Sequence, residues 1–483
     1  MTEPTFGISI TPVDTEARAT APADMSIIGL ICTAPAADAG VFPLNTPVSF
    51  LSDDATKIAA LGATGEAATA VAAIDANTGG VSARIVFVRV DAGANVAAAM
   101  TNIVGSAGSK TGLHAFKEAP ALLGLTPRII IAPGYTGIVQ QGVSAVVNAQ
   151  GSGGANGAFD LAFVGGTGSG AAGTFTVEAG KLTSITITNP GAYTVAPTLS
   201  FAASTGLTGA TATVTLVDVA NPVCAALGGI LDDLKAIAPV AGPNSTSTAA
   251  KNWRGKLNHK RLVPLDNGHK VFEDADTIVT IDPACAFAGI QVMRDAEAGG
   301  VPSKCVANTA VQGIVDVSRN IRFSLTDGAV DGQDLLAHQI GITVAGSTAD
   351  GSIADSGFVM IATDNAGDDE LWRFYHQVRL RDFIHLQFVK VLRGYLGRFN
   401  LTRQTVQAVL NSMTIQLRNL KVDGHILGFE VGFDPDANQP ENLRLGRFNV
   451  YFKAEEPPIL RSLGVKSYRY SEALNDLLTQ IAA

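Results

Sequence analysis

Residues 417–433, "LRNLKVDGHILGFEVGF", pass from a helix to a strand across one glycine. The helical part continues an apolar stripe made of Val406, Leu410, Met413, Leu417 and Leu420. Gly424 fits the position just after a helix C-cap, where a left-handed backbone is common. Beyond it, Leu427, Phe429, Val431 and Phe433 alternate with polar or small residues, which is the period of a half-buried strand. The stretch therefore predicts a helix followed at once by a strand.

A second helix and a second strand flank this stretch. Upstream, residues 368–396 carry an apolar stripe at helical spacing, with acids at the start and basic residues late, as the helix dipole favours. Downstream, residues 434–442, "DPDANQPEN", predict a turn, and residues 445–458, "LGRFNVYFKAEEPP", predict a returning strand. The C-terminal part is thus predicted as two helices followed by a β-hairpin.

This hairpin has too few strands to form a stable sheet by itself. Two segments could supply the missing strands, namely residues 5–14, "TFGISITPVD", and the tail after Pro458. If these segments came from neighbouring molecules, each subunit would complete the sheet of the next by strand addition. A chain built in this way would form a polymer.

The first part of the chain predicts an α/β layer. Residues 25–34, 83–90 and 127–134 are continuous apolar runs typical of buried strands, and helical patterns lie between the first two. Ser52, Asp53 and Asp54 could cap the helix that follows them. Residues 241–356 predict more of the same layer, including a strand, a turn and a helix within residues 321–345.

The composition changes between residues 138 and 221, where only four residues are charged: Asp160, Glu178, Lys181 and Asp218. Residues 174–188 predict a hairpin that turns at Ala179-Gly180, and further short alternating runs follow. The glycine-rich residues 151–177 lead into a strand and not into a helix, and no lysine ends them, so a phosphate-binding loop is not predicted. The segment is interpreted as an inserted, small all-β domain.

The totals exclude several classes of protein. The 483 residues carry a net charge of −9, which argues against a generic nucleic-acid-binding surface. No apolar run approaches the roughly 18 residues that a membrane span needs. The N-terminus lacks a basic region and an apolar core, so no signal peptide is predicted and folding in a cytoplasm is expected.

No residue pattern predicts catalysis, a cofactor or a metal ion. The seven histidines and four cysteines lack zinc-ligand spacing, and the calcium-like spacing at Asp434, Asp436 and Asn438 lacks the required glycine and glutamate. Two interpretations of Cys32, Cys224, Cys285 and Cys305 remain open: buried apolar thiols, or thiols that form an intersubunit disulfide outside the cell. The chain is therefore expected not to be an enzyme.

Four passages give the chain a resemblance to a known family. Residues 13–50, with a buried strand before "FPLN", and residues 111–134, with "TGL", "PRI" and "PG", resemble the tail sheath proteins of contractile-tailed bacteriophages. Residues 417–433 and 441–463, with their helix, hairpin and double proline, are similar to the C-terminal region of the same family. The resemblance covers residues 1–137 and 222–483, and the inserted segment has no counterpart in compact members.

The resemblance implies an α+β multidomain chain in which strands exchanged between subunits complete the C-terminal domain. It divides the chain into an N-terminal exchange arm (1–20), a middle sheath domain (21–137 and 222–360), an inserted outer β-rich domain (138–221), an inner, tube-facing domain (361–460) and a C-terminal arm (461–483). It further implies a virion protein, assembled in the host bacterial cytoplasm, that polymerises as stacked hexameric rings. Contraction of these rings would drive the tail tube through the host envelope without nucleotide hydrolysis.

The implied partners are other copies of the chain, the tail tube protein, and the baseplate and tail terminator proteins, with no direct nucleic acid and no membrane insertion. The C-terminal region gathers six arginines in an otherwise acidic chain: Arg373, Arg379, Arg381, Arg393, Arg398 and Arg403. These are candidates for a basic, tube-facing surface, and the alternative is a set of ordinary solvated helix faces.

Other functions remain open at this point. A genome-free tailocin or injection particle would use an almost identical sheath. A β-rich surface adhesin, or an enzyme that carries a β module, would also contain a segment like residues 138–221. That segment is interpreted as a passive decoration, with glycan binding as the alternative.

Overall fold

The computed structural model describes residues 23–62 and 65–482. The chain is a mixed α+β protein with several small sheets, as the sequence predicted. The expected N-terminal arm, residues 1–20, lies outside the described residues.

The first part of the chain is a four-stranded sheet packed against helices. Its strands are β1 (Ile28–Thr33), β2 (Val48–Leu51), β3 (Arg84–Val90) and β4 (Ile129–Ile131), and its helices are α1 (Ala55–Leu61), α2 (Glu66–Ala76), α3 (Val96–Val104) and α4 (Ala119–Leu123). The strand order is β2-β3-β1-β4; β1 runs parallel to β3 and β4, and β2 is antiparallel. Every residue of β1 is buried, as expected for a parallel strand covered on both faces.

The predicted cap of the first helix is confirmed. The Asp54 carboxylate accepts hydrogen bonds from the backbone N–H groups of Thr56 and Lys57, which have no partner inside α1.

The glycine-rich segment folds into strands only: β5 (Gln140–Ser152), β6 (Gly157–Asp160), β7 (Ala162–Val164), β8 (Thr167–Glu178), β9 (Lys181–Val195), β10 (Thr198–Ser200) and β11 (Thr208–Val219). These strands pair among themselves and enclose a cluster around Phe175, Val177 and Leu182. The predicted hairpin is confirmed, because β8 and β9 are joined at Ala179 and Gly180, both with positive φ.

The segment enters and leaves the α/β layer at one place. Gln140 of β5 pairs with Val219 of β11, so the two chain ends lie side by side. Just beyond, the buried Asn221 donates hydrogen bonds to the carbonyls of Tyr135 and Ile138 and accepts two from the start of the next helix. One side chain thus fastens both ends of the segment to the layer.

The layer then continues with helices and short strands: α5 (Pro222–Leu234), β12 (Ala238–Ala241), α6 (Ser247–Arg254), β13 (Leu262–Leu265), β14 (His269–Phe272), β15 (Ile278–Ile281), α7 (Pro283–Glu297), β16 (Thr309–Ala310), β17 (Asp316–Val317), α8 (Asp331–Ala337), β18 (Ile342–Ala345) and β19 (Phe358–Ile361). Single bridges from Ile129 to Ile237 and from Leu265 to Gly341 extend the first sheet through β12, β13 and β18. At Gly289 the helices α2 and α7 approach closely, since a β-carbon there would lie 2.3 Å from the Ile74 carbonyl oxygen.

One strand prediction in this part is wrong. Residues 321–325 alternate as a strand would, but they form a loop. Ile321 packs beside Leu335 and Ile342, while backbone hydrogen bonds join Arg322 to Gly332 and Leu325 to Gly351. The apolar alternation therefore reflects burial under α8 and not pairing with a neighbouring strand.

The C-terminal part consists of α9 (Tyr375–Leu392), α10 (Arg403–Val422), β20 (Gly428–Phe433), α11 (Pro440–Arg444), β21 (Val450–Glu455) and α12 (Glu472–Ala482). The two helices and the hairpin were predicted, and Gly424 follows the α10 C-cap with a φ of 78° as expected. The short helix α11 within the turn and the terminal α12 were not predicted.

A group of carboxyls lies where the parallel strands end. Glu66 at the start of α2 accepts a hydrogen bond from the Thr33 hydroxyl, which also contacts Tyr135. Asp282, the N-cap of α7, accepts from the backbone of Gly134. Burial, and after it the charge of Asp282, raises the pKa of Glu66 to about 8, and burial raises the pKa of Asp282 to about 6.

This pKa shift predicts a pH dependence of stability. Between pH 4.5 and about 8 the folded chain holds a proton on Glu66 that the unfolded chain has released. The free energy of unfolding should therefore fall as the pH rises through this window. In Glu66→Gln the fall should be smaller, which chemical unfolding at both ends of the window would measure.

The matched control is Glu178→Gln, at the exposed turn of the β8–β9 hairpin, which should leave the pH dependence of the wild type unchanged. An equal slope in Glu66→Gln and the wild type would contradict the assignment.

Candidate assembly surface

The C-terminal hairpin packs one face on α9 and α10. Val431 and Phe452 point into the cluster that also contains Leu380 and Met413, and the Phe388 and Phe452 rings meet edge to face at 4.9 Å. The opposite face carries exposed polar residues, among them Glu430 and Lys453. The hairpin and the two helices therefore form two packed layers, and the outer face of the hairpin is exposed to solvent.

Both edges of this hairpin are open within the described part of the chain. The strands β20 and β21 pair antiparallel from Gly428↔Glu455 to Phe433↔Val450, and neither pairs with a third described strand. Each edge therefore presents unpaired backbone N–H and C=O groups, which can template another strand.

The C-terminal tail leaves the body beside this hairpin. Every described residue from Leu460 to Ala482 is exposed. Between Ser462 and Tyr470 the tail forms neither helix nor strand, and Val465, Tyr468 and Tyr470 give it strand propensity. The final helix α12 then exposes an apolar stripe at i, i+3, i+4 and i+7, made of Leu474, Leu477, Leu478 and Ile481. Such a stripe is typical of an element that packs on another molecule.

The six predicted basic residues fall into two groups. Arg393, Arg398 and Arg403 are exposed around the loop from α9 to α10. The same loop exposes Leu396 by 78% and Phe399 by 60%. Arginines beside exposed apolar and aromatic side chains are a composition enriched at protein interfaces.

The other three arginines are held inside the subunit. Arg373 pairs with the buried Asp364, and Arg381 pairs with the buried Glu456. For Arg379 the prediction of a tube-facing role is wrong: its side chain is 1% exposed and forms an ion pair of 2.6 Å with Asp295. The sequence showed only that these arginines lie near one another, since the partners of Arg379 and Arg381 are 84 and 75 positions away.

The partners show what the sequence analysis missed. Side chains in the first turns of α9 bind two segments, one at Met25 and one at Glu456. They donate hydrogen bonds to the backbone carbonyls of Met25 and Glu456 and to the Glu456 carboxylate. One sequence signal pointed to the contact at Glu456. In residues 454–458, "AEEPP", a carboxylate follows an alternating strand and precedes two prolines, and a carboxylate that is buried there needs a cationic partner.

The alternative of an intersubunit disulfide is contradicted. Cys32, Cys224, Cys285 and Cys305 are all free and buried, so a thiol of another subunit has no access to them. Burial also raises the pKa of each thiol, that of Cys305 to about 11. They are the buried apolar thiols of the other interpretation.

Over residues 23–62 and 65–482, the structure brings together no three His, Cys, Asp or Glu side chains in a geometry that could hold a metal ion. A search of the same residues finds no helix with the length and apolar character needed to cross a membrane.

No family model matches the chain. Among curated proteins, it is 26% identical to a prophage major tail sheath protein of Pseudomonas aeruginosa strain UCBPP-PA14, covering 94% of this chain and 93% of that one. It is 20% identical to the tail sheath protein of Escherichia phage P2, covering 98% of both chains. A shorter match of 36% identity to the major tail sheath protein of Serratia phage KSP20 covers 23% of this chain and 29% of that one.

Solved structures share the fold. The contracted helical sheath of the anti-feeding prophage aligns with a TM-score of 0.59 and 12% identity over 97% of this chain and 100% of that one. The contracted PVC sheath complex of an extracellular contractile injection system aligns with a TM-score of 0.57 and 12% identity over 98% and 99%. Along nearly its whole length the chain is similar in sequence to phage and prophage tail sheath proteins and shares the fold of contractile sheath structures, which supports a contractile tail sheath subunit.

Proposed function

We propose that the subunit polymerises as stacked hexameric rings around a tail tube, in which exchanged strands link each subunit to its neighbours. The observation that carries this proposal is the open-edged hairpin β20–β21 with an exposed tail that leaves beside it and forms neither helix nor strand up to Tyr470. A tail that cannot complete its own sheet supplies the strand that another copy lacks. Residues 1–20 and 461–483 are the two exchange arms.

Contraction then follows from the packing of rigid subunits. Sheath subunits that rotate against one another change their lateral contacts, whereas main-chain ladders in the arms hold them together. The energy is stored in the assembled lattice, so no nucleotide chemistry is required. The baseplate starts the change, the tail terminator closes the far end, and the moving tube crosses the host envelope to deliver the genome.

The C-terminal domain, residues 361–460, is the inner one in this proposal. Its exposed loop around Arg393, Arg398 and Arg403 meets an acidic tube through contacts that are weak enough to break during contraction. The inserted domain, residues 138–221, then lies on the outer surface as a decoration.

We place the subunit in a phage virion tail rather than in a genome-free particle because two of its curated relatives are sheath proteins of phages P2 and KSP20.

Proline substitutions in the C-terminal tail test whether it pairs as a strand with another subunit. In a β-strand successive N–H groups point to opposite sides, so a Ser467→Pro, Tyr468→Pro double variant always removes a donor that faces the accepting strand. Because this segment is exposed in the subunit, the variant should fold normally and fail to polymerise. Electron microscopy and sedimentation of the purified chain measure both properties, and deletion of residues 461–483 should give the same result.

The matched control is Ser467→Ala with Tyr468→Phe, which keeps both donors and should form wild-type polymers. Striated cylinders from the proline variant or the deletion would contradict strand exchange by this tail.

Charge reversal tests the tube-facing surface. Arg393→Glu with Arg398→Glu should prevent assembly on tubes, since both side chains are exposed and would then repel an acidic partner. The control is Lys181→Glu with Arg322→Glu, which changes the net charge equally at exposed sites in the inserted and middle domains. Extended tails of normal length from the first variant would contradict the assignment.

Removal of the inserted domain tests whether it is only a decoration on the outer surface. Residues 142–217 can be replaced by Asn-Gly, because Gln141 pairs with Asp218 and a two-residue turn can join paired strands. The shortened chain should fold and still polymerise, as seen by electron microscopy. Folded subunits that no longer polymerise would instead place the inserted domain in the lattice contacts.

A further inference from the structure

We propose that the first two turns of α9 form one clamp for both exchange arms, so that load on either arm passes through this helix. The clamp consists of His376, Gln377, Arg379 and Arg381. This inference rests on the proposed function, in which the arms link neighbouring subunits.

Arg379 holds the segment from which the N-terminal arm departs. Its Nη2 donates to the Met25 carbonyl at 2.8 Å, and its guanidinium pairs with Asp295 of α7 through both Nη atoms. Asp295 also accepts from the Ser26 hydroxyl at 3.0 Å. The Met25 side chain is buried in the same cluster as Leu380, so the segment is held by packing as well as by charge.

Arg381 and its neighbours hold the segment from which the C-terminal arm departs. The Arg381 guanidinium donates to both oxygens of Glu456 at 2.6 and 2.8 Å and to the Ala454 carbonyl at 2.7 Å. Gln377 donates to the Glu456 carbonyl at 3.0 Å. The Nε2 of His376 donates to the Pro457 carbonyl at 3.2 Å, and burial lowers the pKa of this imidazole to about 4, so it acts as a neutral donor.

The two attachments lie on different sides of one helix. Residues two positions apart on an α-helix are separated by about 200° around its axis, so Arg379 and Arg381 point in nearly opposite directions. Gln377 and Arg381 are four positions apart and share a face. Arg379 therefore binds the N-terminal segment on one side of α9, while Gln377 and Arg381 bind the C-terminal segment on the other; His376, about 60° from Arg379, lies between the two sides.

A further ion pair marks where the fixed part of the C-terminal segment ends. The Arg461 Nη1 contacts both oxygens of the buried Asp364, at 3.0 and 3.1 Å, and Asp364 also pairs with Arg373 just before α9. After Arg461, the hydrogen bonds of the described tail run only within the tail itself. Tension in the tail thus meets its first fixed points at Arg461 and at Glu456.

The clamp explains why these arginines are buried rather than exposed. A bidentate contact between a guanidinium and a carboxylate fixes both the distance between the two groups and their relative orientation, whereas apolar packing fixes orientation only weakly. Two arms bound to one rigid helix keep a constant spacing while the subunit rotates. Arg379 and Arg381 are therefore positioning residues for the arms and do not contact the tube.

The test is Arg381→Gln in the full-length chain, studied first as unassembled subunits by hydrogen exchange. Exchange at the amides between residues 454 and 459, namely those of Ala454, Glu455, Glu456 and Ile459, should rise by roughly ten- to a hundredfold, the range expected when a hydrogen bond to a charged group is lost. Polymers of this variant should need a higher subunit concentration to form and should separate into subunits when contraction is triggered. Gln377→Ala, which removes only the contact to the Glu456 carbonyl, should give a smaller change in the same direction.

The matched control is Arg319→Gln, which breaks an ion pair to the buried Asp266 in the middle domain, away from both arms. It should lower stability without raising exchange at residues 454–459. Equal exchange at these residues in Arg319→Gln and Arg381→Gln would overturn the clamp, as would wild-type exchange in Arg381→Gln. Because this readout needs no polymer, it is independent of the proline and deletion variants, which decide whether the arms link subunits at all.

Discussion

The position of the C-terminal domain depends on the ion pair between Arg379 and Asp295. Both side chains are almost fully buried, and transferring two charges from water costs several kcal/mol for each. The pair offsets this cost because Arg379 makes a bidentate contact and Asp295 also accepts from Gln291 and Ser26. Loss of one partner would leave a bare buried charge, which typically costs about 3–5 kcal/mol. The ion pair therefore joins helix α9 directly to helix α7.

Rigidity inside the subunit gives the sheath its mechanics. The rings of Phe287 and Tyr375, 5.3 Å apart and tilted by 54°, continue the same α7–α9 contact, as does the hydrogen bond from the Tyr375 hydroxyl to Gln291. A body that does not deform transmits rotation to its arms instead of absorbing it. In the proposed strand-exchange mechanism, contraction would be a change between two packings of one unchanged subunit, linked by strands that remain paired.

Local patterns were enough to predict the elements but not their partners. The run in β1, the stop at Gly424 and the turn at Ala179-Gly180 each follow from a few adjacent residues, and all three are confirmed. Arg379 and Arg393 look alike in the sequence, because the apolar stripe of residues 368–396 does not show which polar residues beside it meet a buried partner. Whether an arginine is buried depends on an acid eighty or more positions away, such as Asp295 for Arg379. The short strands β12 and β13 were missed because four residues that include a proline carry almost no periodicity.

An open sheet edge beside an exposed apolar helix is a liability in a soluble subunit, since any extended peptide could add to it. Charged side chains restrict which peptide can add to this edge. The outer face of the hairpin carries Glu455 beside the Glu430–Lys453 ion pair, and the tail carries Lys466 and Arg469, one of which would share that face if the tail paired as a strand. Opposite charges on neighbouring strands stabilise their pairing, whereas like charges oppose it. In the proposed exchange, the tail of another copy would therefore be a better third strand than an acidic segment.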